Sequence, residues 1–135
     1  MSACRHKEID MHPIQQAIEA ADRAISGEDF ETLMDFYADD AALVVKPGMI
    51  ATGKEQIRRA FAAIAAHFGH ALAVRQGEMQ IIQGGDTALV VMETILETAG
   101  SCITRRATYV FREESDGRWL CVVDNSYGTD LLGAT

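Results

Sequence analysis

Apolar residues in the first half of the chain recur every three or four positions, which is the spacing of an amphipathic helix. Three such stripes are formed by Ile14, Ala17, Ile18, Ala21 and Ile25, by Phe30, Leu33, Met34 and Tyr37, and by Ile57, Ala60, Phe61, Ile64, Ala65 and Phe68. Pro13 suits the first turn of the first helix, and Asp29 is a suitable N-cap for the second. Thr52 and Glu55 fit a capping box at the start of the third. The pattern therefore predicts three helices.

The period changes to that of strands after residue 70. Four segments read as strands, at residues 71–83, 86–98, 101–113 and 118–127, and hairpin-type breakers rich in glycine separate them. A further short strand is predicted at residues 41–45, where Pro47 and Gly48 end it. Helices followed by a meander of strands are typical of an α+β domain with an antiparallel sheet.

Length and charge narrow the class of protein. The chain has 135 residues, the size of one domain, which we place at residues 13–130 between a flexible lead-in (1–12) and a tail (131–135). No apolar run is long enough to cross a bilayer, and the lead-in has no signal-like apolar core, so a cytoplasmic location is expected. The net charge of −8 disfavours nucleic acid and anionic membranes as partners.

The sequence gives little sign of a metal or cofactor. The three cysteines, Cys4, Cys102 and Cys121, are odd in number and lack the spacing of a zinc site. His67 and His70 are three residues apart but have no third candidate ligand nearby. No phosphate-binding glycine loop or nucleophile motif is present, so neither a metal nor a cofactor is expected.

Several motifs resemble the nuclear-transport-factor-2-like superfamily, also called ketosteroid-isomerase-like or SnoaL-like. They are Phe36-Tyr37-Ala38-Asp39-Asp40-Ala41, Gly53-Lys54-Glu55-Gln56-Ile57, Thr108-Tyr109-Val110-Phe111 and Asp116-Gly117-Arg118-Trp119. The chain is similar in particular to small stand-alone domains of unknown function and to the association domain of calmodulin-dependent kinase II. The resemblance implies a cone, in which a curved antiparallel sheet wraps around three N-terminal helices and leaves a cavity. It also implies frequent dimers through the outer face of the sheet, and it implies no single activity.

Side-chain alternation along the last strand predicts which residues face that cavity. If Trp119 faces inward, Asn125 shares its face and Asp124 faces outward. In the resemblance, Val123 and Asn125 occupy positions where relatives often carry a pocket-facing pair of histidines, so Trp119 and Asn125 are predicted to line the pocket. Because both histidines are replaced, imidazole chemistry is not expected here. Asp124 remains a weak catalytic candidate, because only a β-bulge would turn it inward.

Three further residues are predicted to line the pocket. Tyr37 ends the stripe of the second helix, and its hydroxyl is expected to find a buried partner. Arg105 and Tyr109 share the inward face if the last turn has three residues, although Arg105 has an alternative role in a cross-strand ion pair with Glu93 or Glu97. An inward arginine would favour a ligand that carries a carboxylate.

Two classes of function stay open on the sequence alone. One is a binding or assembly domain that holds a small apolar or carboxylate-bearing ligand without chemistry. The other is an acid–base enzyme, an isomerase, cyclase or hydrolase, acting on a small apolar or amphipathic substrate. A homodimer is expected in either case, because residues 86–98 and 101–113 carry apolar side chains on both faces.

Overall fold

The computed structural model describes residues 11–133, which form three α-helices and a six-stranded sheet. The helices are α1 (Pro13–Ser26), α2 (Phe30–Leu33) and α3 (Gly53–His67), and the strands are β1 (Tyr37–Lys46), β2 (Met49–Thr52), β3 (Ala73–Gly84), β4 (Thr87–Thr98), β5 (Ser101–Glu113) and β6 (Trp119–Asn125). Cys4, His6, most of the predicted lead-in and the last two residues of the predicted tail lie outside the described residues.

The strands form one curved, open sheet in the order β2-β1-β6-β5-β4-β3. The meander from β3 to β6 is antiparallel, as the sequence predicted, and its four strands begin and end within two residues of the predicted bounds. The pairing of β1 with β6 is parallel, so the sheet is mixed and not purely antiparallel. The predicted α+β cone is confirmed with that one correction.

The core lies between the helices and the inner face of the sheet. On α1, Ile14 and Ile18 are fully buried because residues four apart lie on one face of a helix. The cap of α1 is His12, whose Nδ1 accepts a hydrogen bond from the amide of Ile14, although the prediction placed His12 in the lead-in. Inward side chains of the sheet such as Val90 and Phe111 belong to the same buried cluster as the two fully buried isoleucines of α1.

The second helix is shorter than its apolar stripe predicted. It ends at Leu33, a 3₁₀ turn continues it to Phe36, and Tyr37 is the first residue of β1. The stripe misleads because the helix, the turn and the strand all direct their apolar side chains into one core. The strand β2 was not predicted, since Met49–Thr52 is a short edge strand directly after the turn at Pro47 and Gly48.

The third helix begins where the capping box predicted, but the box itself is absent. The Thr52 side chain makes no cap hydrogen bond, and the amide of Thr52 donates to Oε1 of Gln56 at 2.9 Å. Of the residues predicted to form the core here, Phe61 is buried while Ile64 and Phe68 are only half-buried. All three line the cavity described below, and Ile64 and Phe68 leave more of their surface exposed there.

The outer face of the sheet carries an apolar row that no described residue covers. Ile82, Leu89, Val110 and Val123 are register partners across the four strands of the meander. Three of them are among the exposed large hydrophobic residues, with Ile82 exposing 58% of its surface. Within residues 11–133 no helix is long and apolar enough to cross a membrane.

Candidate functional site

A β-bulge in β6 decides which residues face the interior. Phe111 pairs with Cys121, but its neighbour Val110 pairs with Val123, so β6 contains one extra residue at this point. The extra residue reverses the alternation of side chains beyond it. Cys121 and Asp124 therefore both point inward and are buried, whereas Val123 is exposed on the outer face.

Asp124 is buried against a tyrosine from the neighbouring strand. Its side chain exposes 5% of its surface, and its Oδ2 accepts a 2.6 Å hydrogen bond from the hydroxyl of Tyr37. Burial raises the pKa of the Asp124 carboxyl from 3.8 to about 6, because a charge is poorly solvated in the core, and the Tyr37 hydrogen bond opposes part of that rise. The carboxyl can therefore exist in both protonation states near neutral pH.

A second buried carboxyl approaches the same space from α1. Asp22 exposes 8% of its surface, although it lies on a helix whose other buried residues are apolar. Burial raises the pKa of Asp22 from 3.8 to about 7, and repulsion from Asp124 and Glu19 adds to the rise while Arg23 opposes it. The two carboxyls are thus electrostatically coupled, and the ionisation of either one disfavours ionisation of the other.

Two hydroxyl groups complete the polar part of the interior. Tyr109 is directly opposite Asp124 in the β5–β6 pairing, and burial followed by the nearby Asp124 charge raises the pKa of its phenol well above the ordinary value. Thr94 lies beside Tyr109 and is 4% exposed, yet its Oγ1 makes no hydrogen bond of good geometry among the described residues. The group therefore includes a neutral phenol and, beside it, a buried hydroxyl that makes no well-formed hydrogen bond among the described residues.

These polar groups lie on the wall of a large cavity between α3, the inner face of the sheet and the β1–β2 hairpin. Its volume is about 690 Å³, within the range of small-molecule sites. Asp22, Thr94, Tyr109 and Asp124 all line it. The apolar lining includes Ile25, Leu43, Ile64, Phe68, Leu72 and Leu96. The cavity can hold a small molecule with a mostly apolar body and bring one part of it to the carboxyls.

The mouth of the cavity is marked by its exposed lining residues. Met49 and Ile50 on β2 expose 48% and 53% of their surfaces, and Lys46, Arg59 and His67 are exposed as well. This exposed set contains two cationic side chains, Lys46 and Arg59, and no carboxylate. The carboxyls that line the cavity, Asp22 and Asp124, are both buried.

Arg105 also lines the cavity, half-buried, and lies on an aromatic ring. Its guanidinium carbon is 4.4 Å from the centre of the Tyr127 ring, a cation–π geometry. The Tyr127 hydroxyl donates a hydrogen bond to the carbonyl of Val45 on β1. The Tyr127 ring is therefore held between β1 and Arg105 of β5. The alternative predicted for Arg105, an ion pair with Glu93 or Glu97, is not formed; Arg75 is the partner of Glu97.

The sequence of residues 14–123 matches the model of the SnoaL-like domain family, which is most of the chain. The chain belongs to the SnoaL-like domain family. This confirms the resemblance noted from its motifs, and the inward aspartate and cone cavity are therefore features of a SnoaL-like domain. No curated protein sequence matches the chain.

Solved structures with the same fold support the assignment. A protein of unknown function with a cystatin-like fold from Nostoc punctiforme superposes with a TM-score of 0.74 at 20% identity, covering 86% of this chain and 88% of that one. A nuclear-transport-factor-2-like protein from Novosphingobium aromaticivorans gives 0.72 at 21% identity, covering 90% and 84%. A candidate ketosteroid isomerase from Shewanella frigidimarina gives 0.71 at 18%, covering 84% and 94%. At such identities the likeness shows the fold alone.

The structure separates the five residues predicted for the pocket of this SnoaL-like domain. Arg105 and Tyr109 line the cavity, and Tyr37 reaches it only through Asp124. Trp119 is buried outside the cavity lining, with its ring 5.9 Å from that of His12. Asn125 is on the opposite face of β6 from Asp124, so the placement of Trp119 and Asn125 at the pocket is wrong, and the bulge explains the second error.

Asn125 instead holds the end of β6 in place. Its Nδ2 donates to Oγ1 of Thr108 at 3.2 Å and to the carbonyl of Gly128 at 3.1 Å, and its Oδ1 accepts from the amide of Tyr127. Both N–H groups of the amide and one lone pair of its oxygen are therefore used within the protein. Asn125 therefore contributes to the site indirectly, by fixing the turn that carries Tyr127.

Two cavity residues, Asp22 and Thr94, were not predicted from the sequence. Asp22 belongs to an otherwise ordinary amphipathic helix, and its only signal was its place beside Ala21 on the buried side. Thr94 follows the inward alternation of Ala88, Val90 and Met92, which could have identified it as a hydroxyl in the core. Within residues 11–133 no three His, Cys, Asp or Glu side chains are grouped so as to hold a metal ion.

Proposed function

We propose that this SnoaL-like domain is an acid–base enzyme that acts on a small, largely apolar or amphipathic molecule bound in the cone cavity. The observation that carries the proposal is the placement of Asp124. It is a buried carboxyl on the cavity wall, and burial raises its pKa to about 6. A group that changes protonation near neutral pH and meets a bound molecule is suited to proton transfer.

The neighbours of Asp124 fit the same chemistry. Burial raises the pKa values of Tyr37 and Tyr109 well above the ordinary value for a phenol, so both stay neutral and can donate hydrogen bonds. A neutral donor beside a base stabilises the oxygen that gains negative charge when a proton leaves an adjacent carbon. Tyr109 is opposite Asp124 on the same cavity wall, whereas Tyr37 already donates to Asp124, so Tyr109 is the donor available to a substrate.

The related structures agree with this class of reaction without defining it. The Shewanella protein is described as a candidate ketosteroid isomerase, and isomerisation of that kind moves a proton between carbon atoms. The 18% identity transfers the fold and nothing about the substrate. We therefore assign proton transfer to Asp124 from its own burial and contacts, and not from the related structures. The cytoplasmic location remains a prediction from the sequence.

A second candidate is binding without turnover, and one contact favours it. The hydroxyl of Tyr37 occupies one oxygen of Asp124, and only 5% of the aspartate is exposed. If Oδ1 also stayed out of reach of a bound molecule, the cavity would hold a ligand and leave it unchanged. The experiment below separates the two candidates.

A neutral aromatic probe tests the enzyme directly. In 5-nitrobenzisoxazole, removal by a base of the proton on C3 of the isoxazole ring forms a nitrile and breaks the nitrogen–oxygen bond, releasing a coloured phenolate. We expect saturable ring opening that follows ionisation of Asp124, with a rate that rises with pH through about 6. Asp124→Asn should abolish the saturable rate.

Asp130→Asn is the matched control, because Asp130 is exposed in the 3₁₀ turn after β6 and does not line the cavity. It should leave the rate unchanged. Equal activity in the wild type and in Asp124→Asn would show that Asp124 does not transfer the proton. Binding of the probe without ring opening would favour the second candidate.

A further inference from the structure

The cavity has opposite electrostatic character at its two ends. Its buried wall holds two carboxyls, Asp22 and Asp124. Its exposed lining holds Lys46 and Arg59, and Arg105, which is half-buried, also lines it. The whole chain carries a net charge of −8, so this concentration of cations at one opening runs against the composition of the protein. A bound anion would be attracted to the mouth and repelled from the buried end.

Arg105 is the best placed of these cations to hold a ligand inside the cavity, because it is half-buried whereas Lys46 and Arg59 are exposed. Arg59 is paired with Glu55 on its own helix, at 3.6 Å. Arg105 makes no ion pair with any described residue, and its contact is the face of the Tyr127 ring. A cation–π contact satisfies no ion pair, so the guanidinium of Arg105 remains available to hold a carboxylate in a two-point contact.

Thr94 supplies a second, independent anchor. It is directly opposite Arg105 in the β4–β5 pairing, so both side chains leave the same inner face of the sheet. Its hydroxyl is buried, lines the cavity and lacks a hydrogen-bond partner of good geometry among the described residues. Buried polar groups without partners are rare in folded proteins and often mark a site where another molecule completes the hydrogen bond.

We propose that the cavity takes an amphipathic carboxylic acid with a hydroxyl or carbonyl oxygen in its apolar part. The carboxylate binds the guanidinium of Arg105 toward the mouth, and the second oxygen bonds to the hydroxyl of Thr94 beside Tyr109. The apolar body of the ligand lies against Ile64, Phe68 and Leu96. This orientation keeps the anionic end away from Asp22 and Asp124 and directs the other end toward them.

This inference names the substrate class for the proposed function and rests on it, but it can fail separately. The proton-transfer assay uses a neutral probe and depends on Asp124. The present inference concerns binding alone and depends on Arg105 and Thr94.

Four related probes isolate the two anchors: 2-naphthylacetic acid, its amide, and the 6-hydroxy derivative of each. Their dissociation constants would be measured by titration calorimetry at low salt. The wild type should bind each acid roughly 10- to 100-fold more tightly than its amide, the range expected for a hydrogen bond to a charged group. The 6-hydroxy group should tighten binding by a further 2- to 10-fold or so, as expected for a neutral hydrogen bond.

Matched variants assign each preference to one residue. Arg105→Met should remove the preference for acids and retain the preference for the hydroxyl. Arg106→Met is the control, because Arg106 is adjacent in sequence but exposed on the other face of β5, and it should bind like the wild type. Thr94→Val should remove the preference for the hydroxyl and retain that for acids.

The result that would overturn the inference is equally specific. Equal binding of acid and amide by the wild type, or an acid preference that survives in Arg105→Met, would show that no carboxylate site exists at Arg105. Failure of all four probes to bind in the millimolar range would exclude this ligand class. Ring opening of the neutral probe by the same protein would leave the proposed proton transfer intact in each of these cases.

Discussion

The hydroxyl of Tyr37 donates a 2.6 Å hydrogen bond to Oδ2 of Asp124, joining residues 87 positions apart in the chain. Tyr37 opens β1 and Asp124 lies near the end of β6, so the contact spans the one parallel pairing of the sheet. Both residues are almost fully buried. The bond thus fixes the orientation of the candidate acid–base group from the strand beside it.

The first expectation concerns that bond. Because the Tyr37 hydroxyl stabilises the charged form of Asp124, Tyr37→Phe should raise the pKa of Asp124 further above about 6. It should also lower the free energy of unfolding by roughly 1.5–3 kcal/mol at neutral pH, the cost of removing a hydrogen bond to a charged group. Carboxyl carbon chemical shifts followed by NMR against pH would measure the pKa.

Tyr127→Phe serves as the control for this change. It removes a hydroxyl that bonds to the Val45 carbonyl and not to Asp124. The Asp124 titration should be unaltered there. If Tyr37→Phe left the titration in place as well, the hydrogen bond would have no role in setting the protonation of the carboxyl.

The architecture was predictable because its signals are local. The turns at Gly84 and Gly100 separate strands whose bounds are almost as predicted, and the stripe around Ile57 and Phe61 marks α3. The residue contacts at Asp124 were not predictable in the same way. One extra residue in β6 reverses the alternation, and no side chain between Cys121 and Asp124 signals it. Sequence alternation alone therefore placed Asn125 in the pocket and Asp124 outside.

Burial at Asp22 should make the protein less stable as pH rises. Its pKa is 3.8 in the unfolded chain and about 7 in the folded one, so the folded state binds the proton more tightly. The resulting stabilisation is complete below about pH 4 and is lost as pH rises through about 7. Asp22→Asn removes the ionisation, so it should raise the melting temperature relative to the wild type near pH 8 and change it little near pH 4.

Thermal denaturation of both proteins across this pH range gives the measurement. Asp29→Asn is unsuitable as a control because Asp29 caps α2, whereas Asp130→Asn removes an exposed carboxyl outside the cavity and serves as the control. A melting temperature that differed between wild type and Asp22→Asn by the same amount at every pH would show that Asp22 ionises normally.

Asn125 should prove important for stability and not for direct ligand contact. Asn125→Leu removes three hydrogen bonds that hold the turn after β6, to Thr108, Gly128 and Tyr127. We expect a loss of about 1–3 kcal/mol in unfolding free energy, measured by urea denaturation. Thr108→Val removes only one of these bonds and should cost less. If both variants lost the same unfolding free energy, the bond to Thr108 would account for the whole effect, and the bonds of Asn125 to the turn would add nothing.

The cavity also sets an expectation for the core beneath α3. Phe61 exposes 8% of its surface and packs near Phe30 and Tyr37, with ring centres 6.4 and 6.3 Å away. Phe61→Ala should cost about 3–5 kcal/mol. Phe68→Ala should cost less, because Phe68 is only half-buried although both residues line the cavity. Urea denaturation would rank the two, and a reversed order would mean that the cavity is closed around Phe68.

The last expectation concerns self-association, which remains a proposal. The row Ile82, Leu89, Val110 and Val123 crosses four strands on the outer face of the sheet, and a sheet face exposed to water would more often alternate apolar with polar residues. We expect a homodimer that buries this row. The mass of the protein in solution would be measured by equilibrium sedimentation at micromolar concentration.

Leu89→Lys should produce monomers, because it places a charge in the centre of the apolar row. Ile50→Lys is the control, since Ile50 is as exposed but lies at the mouth of the cavity, away from the outer face. A monomeric wild type, or a dimer that Ile50→Lys dissociates and Leu89→Lys does not, would place any interface elsewhere.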